Sequence, residues 1–340
     1  MDNKDIIGIV GAGLIGRAWT CVFARAGHQV QLWDPDPALR ARMPGLLRAM
    51  LLEAGDDPEA AASVTTCDSM EQALDGVALV QESGPELLDI KRELFARMDA
   101  AAAAGVILAS SSSALVASEF ALGLAGAGRC IVAHPVNPPH VVPVVELCPS
   151  PRTEPWVLPK AEAIYRAAGQ VPAVLNREIP GFVLNRLQAV LLAESLRLVA
   201  EGVCSVQALD DTMRHGLGRR WTLMGPLETI SLNAPEGVLD YMRRYGPTMA
   251  RLADDGAGSE AFSERAAAIV AATFPEIAPQ AIRTRTAWPS ASPSSRTHSS
   301  PPAKCTSTRC QRGSRATTVA SNTTPASSPK GNGGCMPAST

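Results

Sequence analysis

The 340-residue sequence carries almost no charge excess: 31 Lys and Arg face 33 Asp and Glu, for a formal net charge of −2. There is thus no global electrostatic case for nucleic acid or an anionic membrane as partner. Lysine is scarce while arginine is common, a bias of codon composition rather than of function. Eight cysteines are scattered without a C-x-x-C pair, which argues against a zinc site or a redox motif. No apolar run approaches the roughly 18 residues that span a bilayer. The N-terminus enters a strand-like run almost at once, with no charged leader or cleavage site. These absences lead us to expect a cytoplasmic protein with no membrane span and no metal.

What the chain has is apolar substance and periodicity. Hydrophobic residues make up 46% of it, ample for a core, and its length suggests two folded domains. Short apolar runs at 6–10, 30–33, 77–81, 106–109 and 131–133 alternate with helical patterns over 14–26, 37–52 and 86–104. Such strands, separated by helices, predict a parallel sheet covered on both faces; residues 142–147 and 171–175 are candidates to extend it. Over 181–200 the chain is apolar on nearly every side, which predicts a helix buried in a domain core or a dimer interface. Helical segments continue to about Ile277. The expected fold class is α/β: a doubly wound, mostly parallel sheet over 1–178, followed by an all-helical domain over 179–280. Beyond about Ala281 the chain becomes Ser, Thr, Pro and Arg with no period of 2 or 3.6. Such a segment, 281–340, cannot offset the entropy of ordering. Its abrupt onset suggests an out-of-frame reading of a GC-rich gene.

The segment GIVGAGLIGRAW (8–19) contains Gly11-x-Gly13-x-x-Gly16. The pattern alone is weak; here it follows a predicted strand and opens a predicted helix, the context that gives it weight. Gly11 permits the tight turn, Gly13 lets backbone approach a pyrophosphate, and Gly16 lets helix and strand pack closely. The phosphates would sit at the helix N-terminus, at Leu14 and Ile15. Asp34 closes the second strand about 20 residues on, the place of a carboxylate that binds the adenosine ribose. It would repel a 2′-phosphate and no arginine follows directly, so NAD is expected rather than NADP.

Of five histidines, His28 reads as a turn residue, His215 lies in a helical segment, His298 in the tail and His140 among prolines. His134 stands at the carboxyl end of a predicted strand, where ligands sit in open α/β sheets; so does Ser113. After His134, four prolines in PVNPPHVVPVVE forbid a helix and stiffen the turn. An apolar strand then delivers Glu146.

At this point the motifs resemble those of the 3-hydroxyacyl-CoA dehydrogenase superfamily. AHPVNPPHVVPVVEL (133–147) is similar to its HFFNP…VE segment, in the form of the L-gulonate 3-dehydrogenase (lambda-crystallin) branch. SSSSALVASEF, PGFVLNRLQ (180–188) and GPLETISLNAPEG (225–237) are similar to three further motifs, in order, and the likeness runs from about residue 6 to 275. It implies a Rossmann-type NAD-binding domain and a helical domain through which a homodimer forms. It gives His134 the role of general base, taking the proton of a substrate hydroxyl as hydride leaves the same carbon. Glu146 would hold the ring, Ser113 and Asn185 would hydrogen-bond the substrate oxygen, and Glu86 and Lys91 would line the nicotinamide side. Each also admits a plainer reading: a strand-end charge for Glu146, a register off by one for Ser113, packing for Asn185, a helix-start charge for Glu86 and a solvated lysine for Lys91.

Superfamily members that act on acyl-CoA carry a longer, lysine-rich helical excursion after the second strand. The corresponding stretch here, 35–70, is short and has no lysine; its Arg40, Arg42 and Arg48 read as a solvated helix face. That points to a small free acid. A carboxylate calls for a cation, and LGRRWTLMGPLET supplies Arg219 and Arg220. A guanidinium grips a carboxylate with two hydrogen bonds, and Arg220 is the candidate, against a surface role. The implied activity is NAD-dependent oxidation of the 3-hydroxyl of a small hydroxy acid of the L-gulonate type. A short-chain 3-hydroxyacyl-CoA dehydrogenase is one rival, a non-enzymatic crystallin-like NAD-binding protein another.

Overall fold

In the computed structural model, which describes residues 4–254, the apolar runs become eight strands. They are β1 (Ile6–Val10), β2 (Gln29–Trp33), β3 (Val64–Thr66), β4 (Leu79–Glu82), β5 (Ile107–Ser110), β6 (Cys130–Pro135), β7 (Val144–Pro149) and β8 (Val171–Val174). One sheet holds them in the order β3-β2-β1-β4-β5-β6-β7-β8. Pairing is parallel from β3 to β6, antiparallel between β6 and β7, and parallel again between β7 and β8. The end of the expected helical domain and the low-complexity tail, together 255–340, lie outside the described residues.

The sheet is covered on both faces, as short apolar strands require. One face packs Leu32 and Ile131 against Trp19, Phe23, Leu47 and Tyr165 from helices Leu14–Arg25, Pro37–Ala54 and Val157–Ala167. The other packs Val80 and Leu108 against Phe95, Met98 and Phe120. The chain runs outward from β1 to β3, then crosses to β4 on the far side of β1. Connections leave that point in opposite directions, which opens a crevice at the carboxyl ends of β1 and β4.

Strand β3 was not legible: it is three residues long, with no fully buried position, behind the 3-10 turn Pro58–Ser63. The helix expected from Glu86 begins only at Leu88. Leu87 is the N-cap, with extended backbone at φ −125° and ψ 124°, so Glu86 stays in the loop between β4 and that helix. β6 runs two residues further than expected because β7 pairs with it to Pro135.

After β8 every regular element among the described residues is helical, beginning with Leu184–Ala200. Its expected burial is not met within one chain. Leu187, Val190, Leu191 and Leu192 are 64%, 73%, 37% and 45% exposed, and only Ala193 and Val199 of this helix are buried. Among the described residues no helix is long and apolar enough to cross a membrane.

Candidate active site

The glycine loop lies at the carboxyl end of β1. Gly11 has φ 97°, and its amide donates to the Trp33 carbonyl at 2.8 Å. A Cβ on Gly16 would stand 1.8 Å from the Gly11 carbonyl oxygen, so the first helical turn rests directly on the loop. A Cβ on Gly13 would meet nothing within 4 Å. Packing therefore does not require a glycine at that position. No side chain caps helix Leu14–Arg25, which leaves its first-turn amides to an anion. Asp34 accepts from the Ala12 amide at 2.7 Å with one oxygen and from the Asp36 amide at 2.9 Å with the other. Its carbonyl accepts from Arg40 at 2.7 Å, so Arg40 is tied to this corner rather than to solvent. An open glycine, an uncapped helix and an adjoining carboxylate suit a dinucleotide.

The register of β6 and β7 sets His134 opposite Glu146. Nδ1 of His134 lies 2.9 Å from Oε2 of Glu146, and both side chains are buried. The other oxygen of Glu146 accepts the amides of Val183 and Leu184, each at 2.9 Å. Burial alone would raise the Glu146 pKa. Hydrogen bonds from His134 and from the Leu184 and Val183 amides outweigh it, and the carboxyl is held below its ordinary value. An ionised carboxylate at Nδ1 keeps the proton on that nitrogen and leaves Nε2 able to accept one.

The turn that supplies those amides is unusual. Gly181 has φ 75° and Phe182, not a glycine, has φ 52°. A bulky residue held there costs roughly 1–3 kcal/mol. Phe182 is fully buried with its ring centroid 5.3 Å from that of His134, so packing offsets the strain at the place where the chain must turn its amides onto Glu146.

The serine run after β5 folds around Glu86. Oε1 accepts from Ser112 Oγ at 2.5 Å and from the amides of Ser113 and Ala114 at 3.0 Å. The Ser113 carbonyl in turn accepts from Asn185 Nδ2 at 3.0 Å. Lys91 is not the solvated lysine of the plainer reading. It bonds both oxygens of Glu82 at 3.0 Å, with side chains 1% and 0% exposed. The late start of its helix leaves Lys91 beneath the loop, where the buried Glu82 needs a counter-charge.

A cleft of about 300 Å³ brings together Ser111, Ser113, His134, Asn137, Asn185 and Gln188, with Ile15 from the glycine-loop helix at its side. Arg220 is not brought there. It is exposed on the short helix Gly218–Trp221 and does not line the cleft; proximity to a motif in sequence did not convey the path of the helices after Ala200. Sequence reasoning also missed Ser111, which pairs with Gln81 Nε2 at 2.7 Å and Ser83 Oγ at 2.9 Å. It missed Asn137, Gln188 and Glu82 as well. Only Gln188 had a usable signal: it follows Asn185 by one helical turn, on the same face.

The model of the 3-hydroxyacyl-CoA dehydrogenase NAD-binding domain matches residues 6–179, and that of the 3-hydroxyacyl-CoA dehydrogenase C-terminal domain matches 181–264. Bovine (Bos taurus) lambda-crystallin homolog is 46% identical over 255 residues, 72% of this chain and 79% of that protein. L-carnitine dehydrogenase of Nocardiopsis dassonvillei is 40% identical over 248 residues, 72% and 75%. Among solved structures, the NAD+-dependent dismutase 5-formyl-3-hydroxy-2-methylpyridine 4-carboxylic acid 5-dehydrogenase superposes with TM-score 0.69 at 25% identity, covering 82% of this chain and 88% of that one. The (S)-3-hydroxybutyryl-CoA dehydrogenase PaaH1 from Ralstonia eutropha shares the fold, with TM-score 0.60 at 24% identity over 80% and 95%. The chain belongs to the 3-hydroxyacyl-CoA dehydrogenase family and is an NAD-dependent oxidoreductase acting on CH–OH groups.

Proposed function

We propose that the enzyme oxidises the 3-hydroxyl of a small, polyhydroxylated free acid of the L-gulonate type, with His134 as general base. One observation carries the substrate class: beside His134, the polar groups of the cleft are two serines and three side-chain amides, Ser111, Ser113, Asn137, Asn185 and Gln188. Neutral donors and acceptors at this density suit a chain of hydroxyls. L-Carnitine, the substrate in the relative's name, ends in a quaternary ammonium, which the faces of Trp, Tyr and Phe bind best; none of these lines the cleft among the described residues. The short, lysine-free stretch 35–70 supports a free acid over a CoA ester.

NAD, when bound, supplies the hydride acceptor. The protein's own groups do the rest. His134 takes the hydroxyl proton on Nε2, and Glu146 steadies the imidazolium that forms. Asn185 still has an amide oxygen and a second N–H after bonding Ser113. With the Ser113 hydroxyl it holds the substrate oxygen as it becomes a carbonyl. The Gly11-Gly13-Gly16 loop and Asp34 hold the cofactor, with Glu86 and Lys91 toward its nicotinamide end.

The reading extends to assembly and setting. Residues 1–178 bind the cofactor and 179–280 complete the substrate site. Two copies pair through the exposed apolar side of helix Leu184–Ala200. A cytoplasmic location accords with the five described cysteines, all unpaired.

The test is NADH formation by the purified protein with L-gulonate, L-carnitine, 3-hydroxybutyrate and 3-hydroxybutyryl-CoA at equal concentration. The highest kcat/KM is expected with L-gulonate; preference for the CoA ester overturns the substrate assignment. His134→Ala should lower kcat by about 10²–10⁴-fold with NAD affinity near that of the wild type. Retained turnover removes His134 as the base.

A further inference from the structure

We propose that Arg25 is a positioning residue for the substrate cleft. Through the His140 carbonyl it holds the proline-rich loop 136–143 so that Asn137 stands at the cleft. Its substrate effect rests on the function proposed above, which makes that cleft the substrate site.

The loop joins β6 to β7 and has no regular structure of its own. It carries Asn137 to the cleft, and it is short of the means to hold itself. Pro138, Pro139 and Pro143 have no amide to donate. The Val141 and Val142 amides both donate to the Pro138 carbonyl at 3.0 Å, closing one turn. The Val136 amide donates to the Val144 carbonyl, and the Pro143 carbonyl accepts from the Val171 amide, which ties down the two ends. Between those ends the carbonyls of Pro139 and His140 need donors from elsewhere in the fold. Gln170 Nε2 reaches the Pro139 carbonyl at 3.4 Å, a long bond. Arg25 Nη1 reaches the His140 carbonyl at 2.7 Å, short and charge-assisted.

Arg25 is itself fixed. It ends helix Leu14–Arg25, and the same nitrogen donates to Asp56 Oδ2 at 3.0 Å. Nη1 has two protons, one for each acceptor. Asp56 follows Gly55, which closes helix Pro37–Ala54 in left-handed backbone at φ 79°. A guanidinium at the C-terminal ends of two helices also meets the negative ends of their dipoles. A fully exposed pair would have little hold; these side chains are only 25% and 28% exposed. The His140 ring adds no competing charge. Burial lowers its pKa and the charge of Arg25 lowers it further, against Asp56 and Glu53, so the ring is neutral at neutral pH. Helix Leu14–Arg25 thus serves the cleft at both ends: Ile15 in its first turn lines it, and Arg25 in its last turn sets the loop that brings Asn137 there.

Five variants test this: Arg25→Ala, Arg25→Lys, Asp56→Asn, Asn137→Ala, and Arg25→Ala combined with Asn137→Ala. The readouts are amide hydrogen exchange at Val141 and Val142, the Kd for NAD, the melting temperature, and kcat and KM for whichever hydroxy acid or ester the wild type turns over best. Arg25→Ala should speed exchange at both amides by about tenfold or more. It should raise KM about tenfold, with kcat within about threefold and the Kd for NAD within about twofold. Arg25→Lys, which can still donate to the carbonyl, should recover most of both losses. Asp56→Asn should lower the melting temperature as Arg25→Ala does yet keep KM within about twofold, since the bond to His140 remains. Asn137→Ala should raise KM at least as much as Arg25→Ala, and the combined variant should match Asn137→Ala alone, because Arg25 acts through that residue. KM increases that multiply in the combined variant overturn the proposal. So does an NAD affinity weakened about tenfold, which would place the effect in the glycine-loop helix instead. Unchanged exchange in Arg25→Ala overturns it whatever the kinetics. Exchange needs no substrate, so it judges Arg25 even if the substrate assignment fails.

Discussion

Glu146 divides its two oxygens between two parts of the molecule, the His134 ring on β6 and the amides that begin helix Leu184–Ala200. Glu146→Gln keeps the shape and removes the charge. The Nδ1 proton is then no longer held in place, and kcat should fall by about 10²–10⁴-fold. The same residue makes stability depend on pH. Its folded pKa is depressed, so its contribution is whole above the ordinary carboxylate value of about 4.3. It is lost as pH falls through the lower folded value. Denaturant midpoints of wild type and Glu146→Gln should therefore differ near neutrality and converge in acid. A gap that persists at the most acid pH the protein survives would show that the carboxylate is not the anchor.

At the scale of elements, the glycine loop separates packing from binding. Gly16→Ala must force a Cβ to within 1.8 Å of the Gly11 carbonyl oxygen; it should lower the melting temperature markedly and weaken NAD with it. Gly13→Ala meets no neighbour, so melting should barely change while NAD affinity drops by about tenfold or more. Equal effects of the two substitutions, on calorimetry and cofactor titration, would refute this division. The loop was legible because its demands are local: a strand, a turn and a helix in one run from Ile6 to Arg25, each with its own residue preference. The His134–Glu146 pair was legible for a related reason, since a hairpin brings near neighbours in sequence together. What escaped were relations across the fold. Lys91 looks like any exposed helix lysine until Glu82, buried at the end of another strand, claims it. Ser111 and Asn137 reach the cleft by loop paths that no periodicity encodes. Arg220 stands near a motif in sequence and away from the cleft in space. The strand β3 was too short and too exposed to leave an apolar trace.

For the whole molecule, the antiparallel junction of β6 and β7 is where the sheet changes from a cofactor platform into a support for the helical part. Helix Leu184–Ala200 starts against Glu146 and exposes Leu187, Val190, Leu191 and Leu192 over its next two turns. Pairing of two copies through that apolar side predicts that sedimentation at falling concentration will show dimers dissociating. Specific activity should fall over the same range; a fully active monomer would rule the coupling out.

That helix has one further consequence. Its first turn carries Asn185, Gln188 and the amide that steadies Glu146, and the exposed Leu187, Val190, Leu191 and Leu192 follow directly along it. A helix is a stiff rod, so contacts along it bear on the position of its first turn. If two copies pair through that side, assembly and the cleft share one helix, and what fixes the one fixes the other.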